Sequence, residues 1–267
     1  MTIRPRLRRP AHGLPLRAVA PNAVTALALC SGLSGVRFAI AGEYPFAVAM
    51  VMAAAVFDGI DGRIARLVRG ESRFGAEIDS LSDAISFGVA PALILYLWSL
   101  VALPRLGWIV SLLLAVFCAL RLARFNARID EEEQPHKSAG FLTGVPAPAG
   151  ALLAMLPMYL WFWTGEAVFV STWLVAPWVA LVAALMVSSV ATYSWSSLRL
   201  RRTVRFEALV LVVLLGAAFV TAPWHTATIA AIAYATSIPF SFASYTRIRR
   251  QRAAGSAEAG QAPPPNA

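Results

Sequence analysis

Long apolar runs separated by short basic stretches make up most of this 267-residue chain. Most runs approach the roughly 20 residues that a helix needs to cross the hydrocarbon core of a bilayer. The pattern therefore predicts an all-α membrane protein, a polytopic helical bundle of about eight transmembrane helices. The predicted spans are residues 22–42, 45–68, 75–100, 105–126, 146–164, 168–190, 206–222 and 225–246.

The basic residues predict how these spans are oriented. Of the 23 lysines and arginines, all but Arg37 and Arg105 lie before the first span, in or near alternate loops, or after the last span. Because lysine and arginine accumulate on the cytoplasmic side of membrane proteins, this alternation predicts that both termini are cytoplasmic. It also predicts that the loop between the second and third spans is at the cytoplasmic face.

The same pattern divides the chain into four parts. The first is a basic segment expected to lie in the cytoplasm or at the membrane interface. A six-helix core, two additional transmembrane helices and a tail predicted to be disordered follow it. In order, these parts are residues 1–21, 22–190, 191–250 and 251–267.

Composition and charge narrow the class of protein. Hydrophobic residues make up 58% of the chain, charged residues make up 14%, and mean hydropathy is +0.66. A soluble domain has about 25% charged residues, so most of this chain is expected to lie in lipid. The net charge of +9 does not predict nucleic-acid binding, because the basic residues do not form a stripe interleaved with aromatic residues.

Four acidic residues, unusual for membrane helices, lie in the second and third predicted spans. Asp58 and Asp61 are three residues apart, and Asp79 and Asp83 are four apart, so each pair shares one face of a helix. If the chain folds back near Gly70, Asp61 meets Asp79 and Asp58 meets Asp83. The four carboxylates are then predicted to converge near the cytoplasmic headgroup level.

Clustered carboxylates in a membrane need neutralisation, and divalent cations provide it economically. Oxygen ligands favour Mg²⁺ or Mn²⁺ over zinc, and we expect two ions. Gly59, Gly62 and Gly75 lie close to the acids in sequence. Small residues of this kind allow either close helix packing or space for a bulky polar ligand, and the adjacent acids favour the second interpretation.

These residues resemble a known signature. The positions are Asp58-x-x-Asp61-Gly62-x-x-Ala65-Arg66 and Gly75-x-x-x-Asp79-x-x-x-Asp83. They are similar, at every defining position, to the CDP-alcohol phosphatidyltransferase family. The resemblance implies metal binding by the first three aspartates, with Asp83 as the general base and a possible fourth ligand. It implies a CDP-lipid pocket formed by Gly62, Ala65, Arg66 and Gly75, with Asn22 and Thr25 of the first helix approaching the nucleotide or capping that helix.

Three further stretches resemble bacterial and archaeal members of the family that accept L-serine. They are Ser86-Phe87-Gly88-Val89-Ala90-Pro91, Arg121-Leu122-Ala123-Arg124-Phe125-Asn126 and Gly144-Val145-Pro146-Ala147-Pro148. Their candidate acceptor contacts are Arg121, Arg124, Asn126 and Ser86. An arginine suits the carboxylate of serine. Both arginines could instead reflect topology alone, Asn126 could cap its helix, and Ser86 could bond within its helix. The signature does not distinguish serine from choline, inositol phosphate or glycerol phosphate.

The resemblance implies an enzyme of the cytoplasmic membrane that uses CDP-diacylglycerol. Its active site is expected to face the cytoplasm, and a homodimer is usual in the family. The alternative from a different class is a divalent-cation transporter, since acids within a membrane also mark ion pathways. All four acids lie near one face of the membrane, and none continues into the later spans, which argues against a pathway.

Overall fold

A computed structural model shows a helical chain and describes residues 16–68, 73–127, 141–188, 191–193 and 205–260. Within these ranges the α-helices are α1 (Leu16–Ile40), α2 (Tyr44–Val68), α3 (Arg73–Asp83), α4 (Ala90–Trp98), α5 (Leu106–Ala127), α6 (Ala147–Ala154), α7 (Leu156–Thr164), α8 (Thr172–Val187), α9 (Arg205–Thr221) and α10 (Pro223–Gly260). A π-helical segment, Ala84–Val89, joins α3 to α4, and short 3₁₀ turns span Leu100–Ala102 and Ala167–Val170. Residues 1–15 of the predicted interfacial segment and the predicted turn near Gly70 lie outside the described ranges.

Each predicted span corresponds to helical structure. Among the described residues, four helical stretches are long and apolar enough to cross a membrane: Ala20–Ile40, Tyr44–Ile64, Phe74–Trp98 and Leu106–Ala127. The pair α6–α7 adds a fifth if its two bent halves cross as one span. Large apolar side chains such as Ile40, which is 72% exposed, cover the outer surface, as lipid contact requires. Eight spans and cytoplasmic termini stay predictions.

The predicted fifth span, residues 146–164, is broken in the middle. α6 and α7 meet at Met155 with a bend of 40°. Pro157 follows the break, and a proline lacks the N–H that would bond to the carbonyl four residues earlier, which is that of Leu153. The indole N–H of Trp178 donates to that carbonyl instead, at 3.0 Å. The break therefore leaves this buried acceptor satisfied.

The described chain is helical apart from two short strands, which confirms the predicted all-α class. β1 (Phe141–Thr143) pairs antiparallel with β2 (Ala191–Tyr193), with Leu142 opposite Thr192. Strands of three residues are too short to show an alternating pattern in the sequence. Gly144 follows β1 with a φ of +74°, which suits glycine, and turns the chain toward α6. The pair thus joins the segments that precede α6 and follow α8.

The C-terminal helix is longer than expected. α10 runs to Gly260, so residues 251–260 are helical where the sequence analysis places a disordered tail. This corrects the boundary of the predicted tail. Four of these ten residues are alanine, which has the highest helix propensity, and they allow the helix to continue beyond the membrane. Residues 261–267 lie outside the described ranges.

Helix α1 organises the first half of the fold. It packs along α2 and also against α3, the π segment and α4, whereas α2 and α3 make little direct backbone contact. Two glycines permit this close approach. A Cβ on Gly35 would lie 2.9 Å from the Ala47 carbonyl oxygen, and one on Gly32 would lie 2.8 Å from the Ser86 Cα. α1 therefore holds α2 and α3 on a shared support with a gap between them.

The π segment also brings α5 close to the acidic helix α3. A Cβ on Gly88 would lie 3.1 Å from the Cys118 Cβ, so the two backbones approach tightly there. Because the π segment and α5 pack together at this point, residues one turn further along α5 reach the level of Asp83. Arg121 is three residues beyond Cys118 and is the residue placed at that level.

Candidate active site

Three aspartates converge in the gap between α2 and α3. One carboxylate oxygen from each of Asp58, Asp61 and Asp79 lies within 4.8 Å of the others. The carboxyl of Asp83 is outside this group but adjoins that of Asp58. The spacing of three on α2 and four on α3 turns the acids to one face of each helix. The predicted meeting of the two acid pairs is confirmed.

The three carboxylates suit a hard divalent cation. They offer only oxygen atoms, which Mg²⁺ and Mn²⁺ prefer. Within the residues that the structure describes, none of the three forms a salt bridge with an arginine or lysine. Asp61 is only 4% exposed, so water alone does not compensate its charge. A bound cation would provide the missing positive charge.

A threonine on α1 orients one of these carboxylates. The Thr25 hydroxyl donates to Oδ2 of Asp61 at 2.7 Å, and its Oγ1 also lies 3.1 Å from the Pro21 carbonyl oxygen. The backbone carbonyl of Thr25 accepts a hydrogen bond from the Ser82 hydroxyl on α3 at 3.2 Å. Thr25 therefore links both acidic helices to α1. From the sequence, Thr25 is expected near the nucleotide or as a helix cap, and its contact with Asp61 is a new finding.

Replacing Thr25 with valine, which has the same shape, is expected to weaken Mn²⁺ binding about tenfold or more. Groups that orient a metal ligand typically contribute 10–100-fold to metal affinity. Electron paramagnetic resonance of Mn²⁺ in titrations of detergent-purified protein would measure the change. Thr25→Ser is the matched control and should bind as the unaltered protein does. Equal affinity in all three proteins would contradict the orienting role.

The glycines of α2 face open space beside the acids. A Cβ added to Gly59 or Gly62 would meet no atom within 4 Å. Close helix packing therefore does not explain these two glycines in the structure. The finding favours the second interpretation of the sequence, that small residues leave room for a ligand next to the carboxylates.

The remaining candidate CDP-lipid residues surround the same gap. Arg66 is exposed, and its Nε donates to the Gly62 carbonyl at 3.0 Å, within its own helix. Gly75 on α3 and Asn22 on α1 are half-buried. Ala65 lies in α2, but its side chain is outside the described part of the structure. Their contact with a nucleotide stays a prediction.

Three of the four candidate acceptor residues make contacts that hold helices together. A guanidinium N–H of Arg124 donates to the Val187 carbonyl at the end of α8, at 3.2 Å. The Asn126 amide donates to the Ser80 hydroxyl at 2.8 Å and ties α5 to α3. Ser86 is fully buried and donates to the Ala28 carbonyl of α1 at 3.2 Å. Their acceptor roles stay predictions.

The fourth candidate, Arg121, differs from these three. Its Nε is buried and has no hydrogen-bond partner. Its electrostatic neighbours include Asp83 on the π-linked helix and Tyr234 on α10. Tyr234 was not singled out from the sequence, because an isolated tyrosine in an apolar run gives no signal. Arg121 is thus the candidate acceptor residue that the fold brings to the acidic cluster.

Comparison with known proteins identifies similar chains. A family model described as CDP-alcohol phosphatidyltransferase matches residues 18–190, and one described as CDP-alcohol phosphatidyltransferase 2 matches residues 204–239. A CDP-diacylglycerol–serine O-phosphatidyltransferase of Mycobacterium bovis is 40% identical over 243 residues, which cover 90% of this chain and 82% of that protein. The protein of the same name from Helicobacter pylori is 40% identical over 52% of this chain and 57% of its own length. An archaetidylserine synthase of Methanothermobacter thermautotrophicus is 33% identical over 49% of this chain and 54% of its own length.

Proposed function

The chain belongs to the CDP-alcohol phosphatidyltransferase family, and on this basis we propose that it transfers the phosphatidyl group of CDP-diacylglycerol to L-serine. The products are phosphatidylserine and CMP. The observation that carries the proposal is the convergence of Asp58, Asp61 and Asp79 within the segment that the family model matches. The serine acceptor is supported by the names of the relatives, including one similar to 90% of this chain.

The protein is an integral membrane protein, given its apolar helices and its family. We place it in a bacterial-type cytoplasmic membrane, as a homodimer with the acidic cluster facing the cytoplasm. The basic loops support this orientation, since they alternate with the apolar runs. CDP and serine are polar and would reach such a site from the cytosol, while the acyl chains of the substrate stay in lipid.

Members of this family use divalent metal ions, and Asp58, Asp61 and Asp79 are the residues that would hold them. We propose two ions, Mg²⁺ or Mn²⁺, with Asp83 sharing one. When bound, such ions neutralise the pyrophosphate and stabilise the charge that develops on the leaving CMP. The hydrogen bond from Thr25 holds Asp61 in place for this role.

Asp83 is proposed as the general base of the transfer. The serine hydroxyl oxygen forms a bond to the phosphorus that carries diacylglycerol, and its proton passes to the Asp83 carboxylate. The bond between that phosphorus and the bridging oxygen breaks, and CMP leaves with the electron pair. Asp83 suits this role because it adjoins Asp58 yet lies outside the three-carboxylate group.

The open side of α2 is the proposed position of the nucleotide. Gly59 and Gly62 leave space beside the carboxylates, and Arg66 is exposed one turn further along the helix. An arginine there suits a phosphate of the CDP group. Asn22, Gly75 and Ala65 complete the proposed lining.

An acceptor panel tests the proposed function. Detergent-purified protein with CDP-diacylglycerol and Mn²⁺ or Mg²⁺ is incubated with L-serine, choline, inositol phosphate or glycerol phosphate, and CMP release is followed. We expect release with L-serine alone and its loss on addition of EDTA. Release with another acceptor would retain the reaction class but refute serine, and folded protein that releases no CMP with any acceptor would refute the proposal.

A further inference from the structure

Two buried polar groups near the acidic cluster lack hydrogen-bond partners. They are Nε of Arg121 on α5 and the hydroxyl of Tyr234 on α10. Most buried polar atoms in folded proteins are paired, and an unpaired donor costs free energy. A bound ligand that supplies acceptor atoms would explain why these two donors are buried without partners.

The two groups are electrostatic neighbours, and Arg121 also has the proposed base as a neighbour. The tight contact of Gly88 with Cys118 brings α5 to this position. Tyr234 comes from a helix outside residues 18–190, which carry the carboxylates and their family match. The proposed subsite thus combines a residue of α5 with a residue of α10.

We propose that Arg121 and Tyr234 bind the carboxylate of the acceptor amino acid, so that α10 supplies a specificity-determining residue. This inference rests on the proposed function, since it takes L-serine as the acceptor. A guanidinium and a phenolic hydroxyl are both donors that suit a carboxylate. With the carboxylate held there, the hydroxyl of serine is directed toward Asp83.

Charge explains why this subsite selects an amino acid. The aspartates are neutralised by the proposed metal ions, so an acceptor carboxylate needs a positive partner of its own, and Arg121 can supply it. An amino alcohol that lacks the carboxylate leaves both donors unpaired in a buried site. A site built around hydrogen-bond donors rejects such analogues strongly, because its own polar groups then have no partner.

Tyr159 offers a matched control for Tyr234. Tyr159 lies on α7, and its hydroxyl is also buried without a hydrogen-bond partner. Unlike Tyr234, it does not have Arg121 as an electrostatic neighbour. A tyrosine-to-phenylalanine change removes the same atom from the same kind of environment at both positions. A general effect of deleting a buried hydroxyl would therefore appear in both variants.

The test measures KM for L-serine by CMP release in the full-length protein. Tyr234→Phe is expected to raise this KM about tenfold, the effect of one hydrogen bond to a charged group, with KM for CDP-diacylglycerol unchanged. Tyr159→Phe should leave both constants unchanged. Arg121→Gln should raise KM for L-serine further, and Arg121→Lys should restore part of the loss.

Ethanolamine, which is serine without its carboxylate, distinguishes carboxylate binding from a structural role. In Tyr234→Phe and Arg121→Gln the ratio of kcat/KM for L-serine to that for ethanolamine should fall at least tenfold. An unchanged ratio would overturn the inference, even if both rates fell. Because unaltered protein is assayed with L-serine alongside, its failure to release CMP would refute the proposed function, whereas serine activity with an unchanged KM in Tyr234→Phe would refute only the subsite.

Discussion

Asp83→Asn is expected to lower the rate of CMP release about 10²–10⁴-fold while CDP-diacylglycerol still binds. Asparagine retains the size of the side chain but cannot accept the proton of the serine hydroxyl, and general bases typically contribute a factor of this size. Asp83 adjoins Asp58 but is outside the three-carboxylate group, so metal binding should largely survive. Single-turnover CMP release and equilibrium binding of CDP-diacylglycerol would separate the two effects.

Glu77 provides a matched control for this substitution. It is an exposed acidic residue on the same helix, so Glu77→Gln removes one negative charge from α3 without touching the cluster. Its turnover should equal that of the unaltered protein. Normal turnover in Asp83→Asn would refute the base assignment. Joint loss of turnover and Mn²⁺ binding would instead show that turnover needs Asp83 as a metal ligand and not as the base.

Asp79→Asn is expected to reduce both Mn²⁺ affinity and CMP release by more than about 100-fold. Removing a proposed ligand should cost more than removing a group that only orients one, for which 100-fold is the usual upper end. Asp79 is the only α3 residue of the three-carboxylate group, so its loss leaves that group with carboxylates from α2 alone. Mn²⁺ titrations followed by electron paramagnetic resonance, together with the metal dependence of CMP release, would measure both losses.

High Mn²⁺ should restore part of the activity of Asp79→Asn, because mass action offsets a weaker site. It should not restore Asp83→Asn, whose expected defect is proton transfer. Glu77→Gln again controls for the loss of charge on α3. Unaltered Mn²⁺ affinity in Asp79→Asn would show that the carboxylate cluster is not the metal site.

The acidic cluster could be predicted from the sequence because its geometry is local. Spacings of three and four put each acid pair on one helix face, and one turn between adjacent helices places the pairs opposite each other. The structure retains this pairing, but α2 and α3 reach it by packing separately on α1. The gap that results, and the open space at Gly59 and Gly62, follow from that packing and not from the spacing.

Other site residues depend on contacts between distant parts of the chain. Arg121 and Arg124 are equivalent candidates in the sequence. In the structure, Arg124 donates a hydrogen bond to the end of α8, whereas Arg121 has Asp83 as an electrostatic neighbour. The difference arises from how α5 packs against α8 and the π segment. Thr25 reaches Asp61 only because Gly32 and Gly35 let α1 approach its neighbours. No short sequence pattern predicts how these helices are aligned along one another.

The π segment sets the rotational phase between α3 and α4. Its wider turns hold one more residue than an α-helix of the same rise. If the same residues formed a regular α-helix instead, its two ends would turn relative to each other by about 100°. The acids of α3 could then no longer face α2 while Gly88 keeps its contact with Cys118. The extra residue held by the π segment is therefore what lets both faces form.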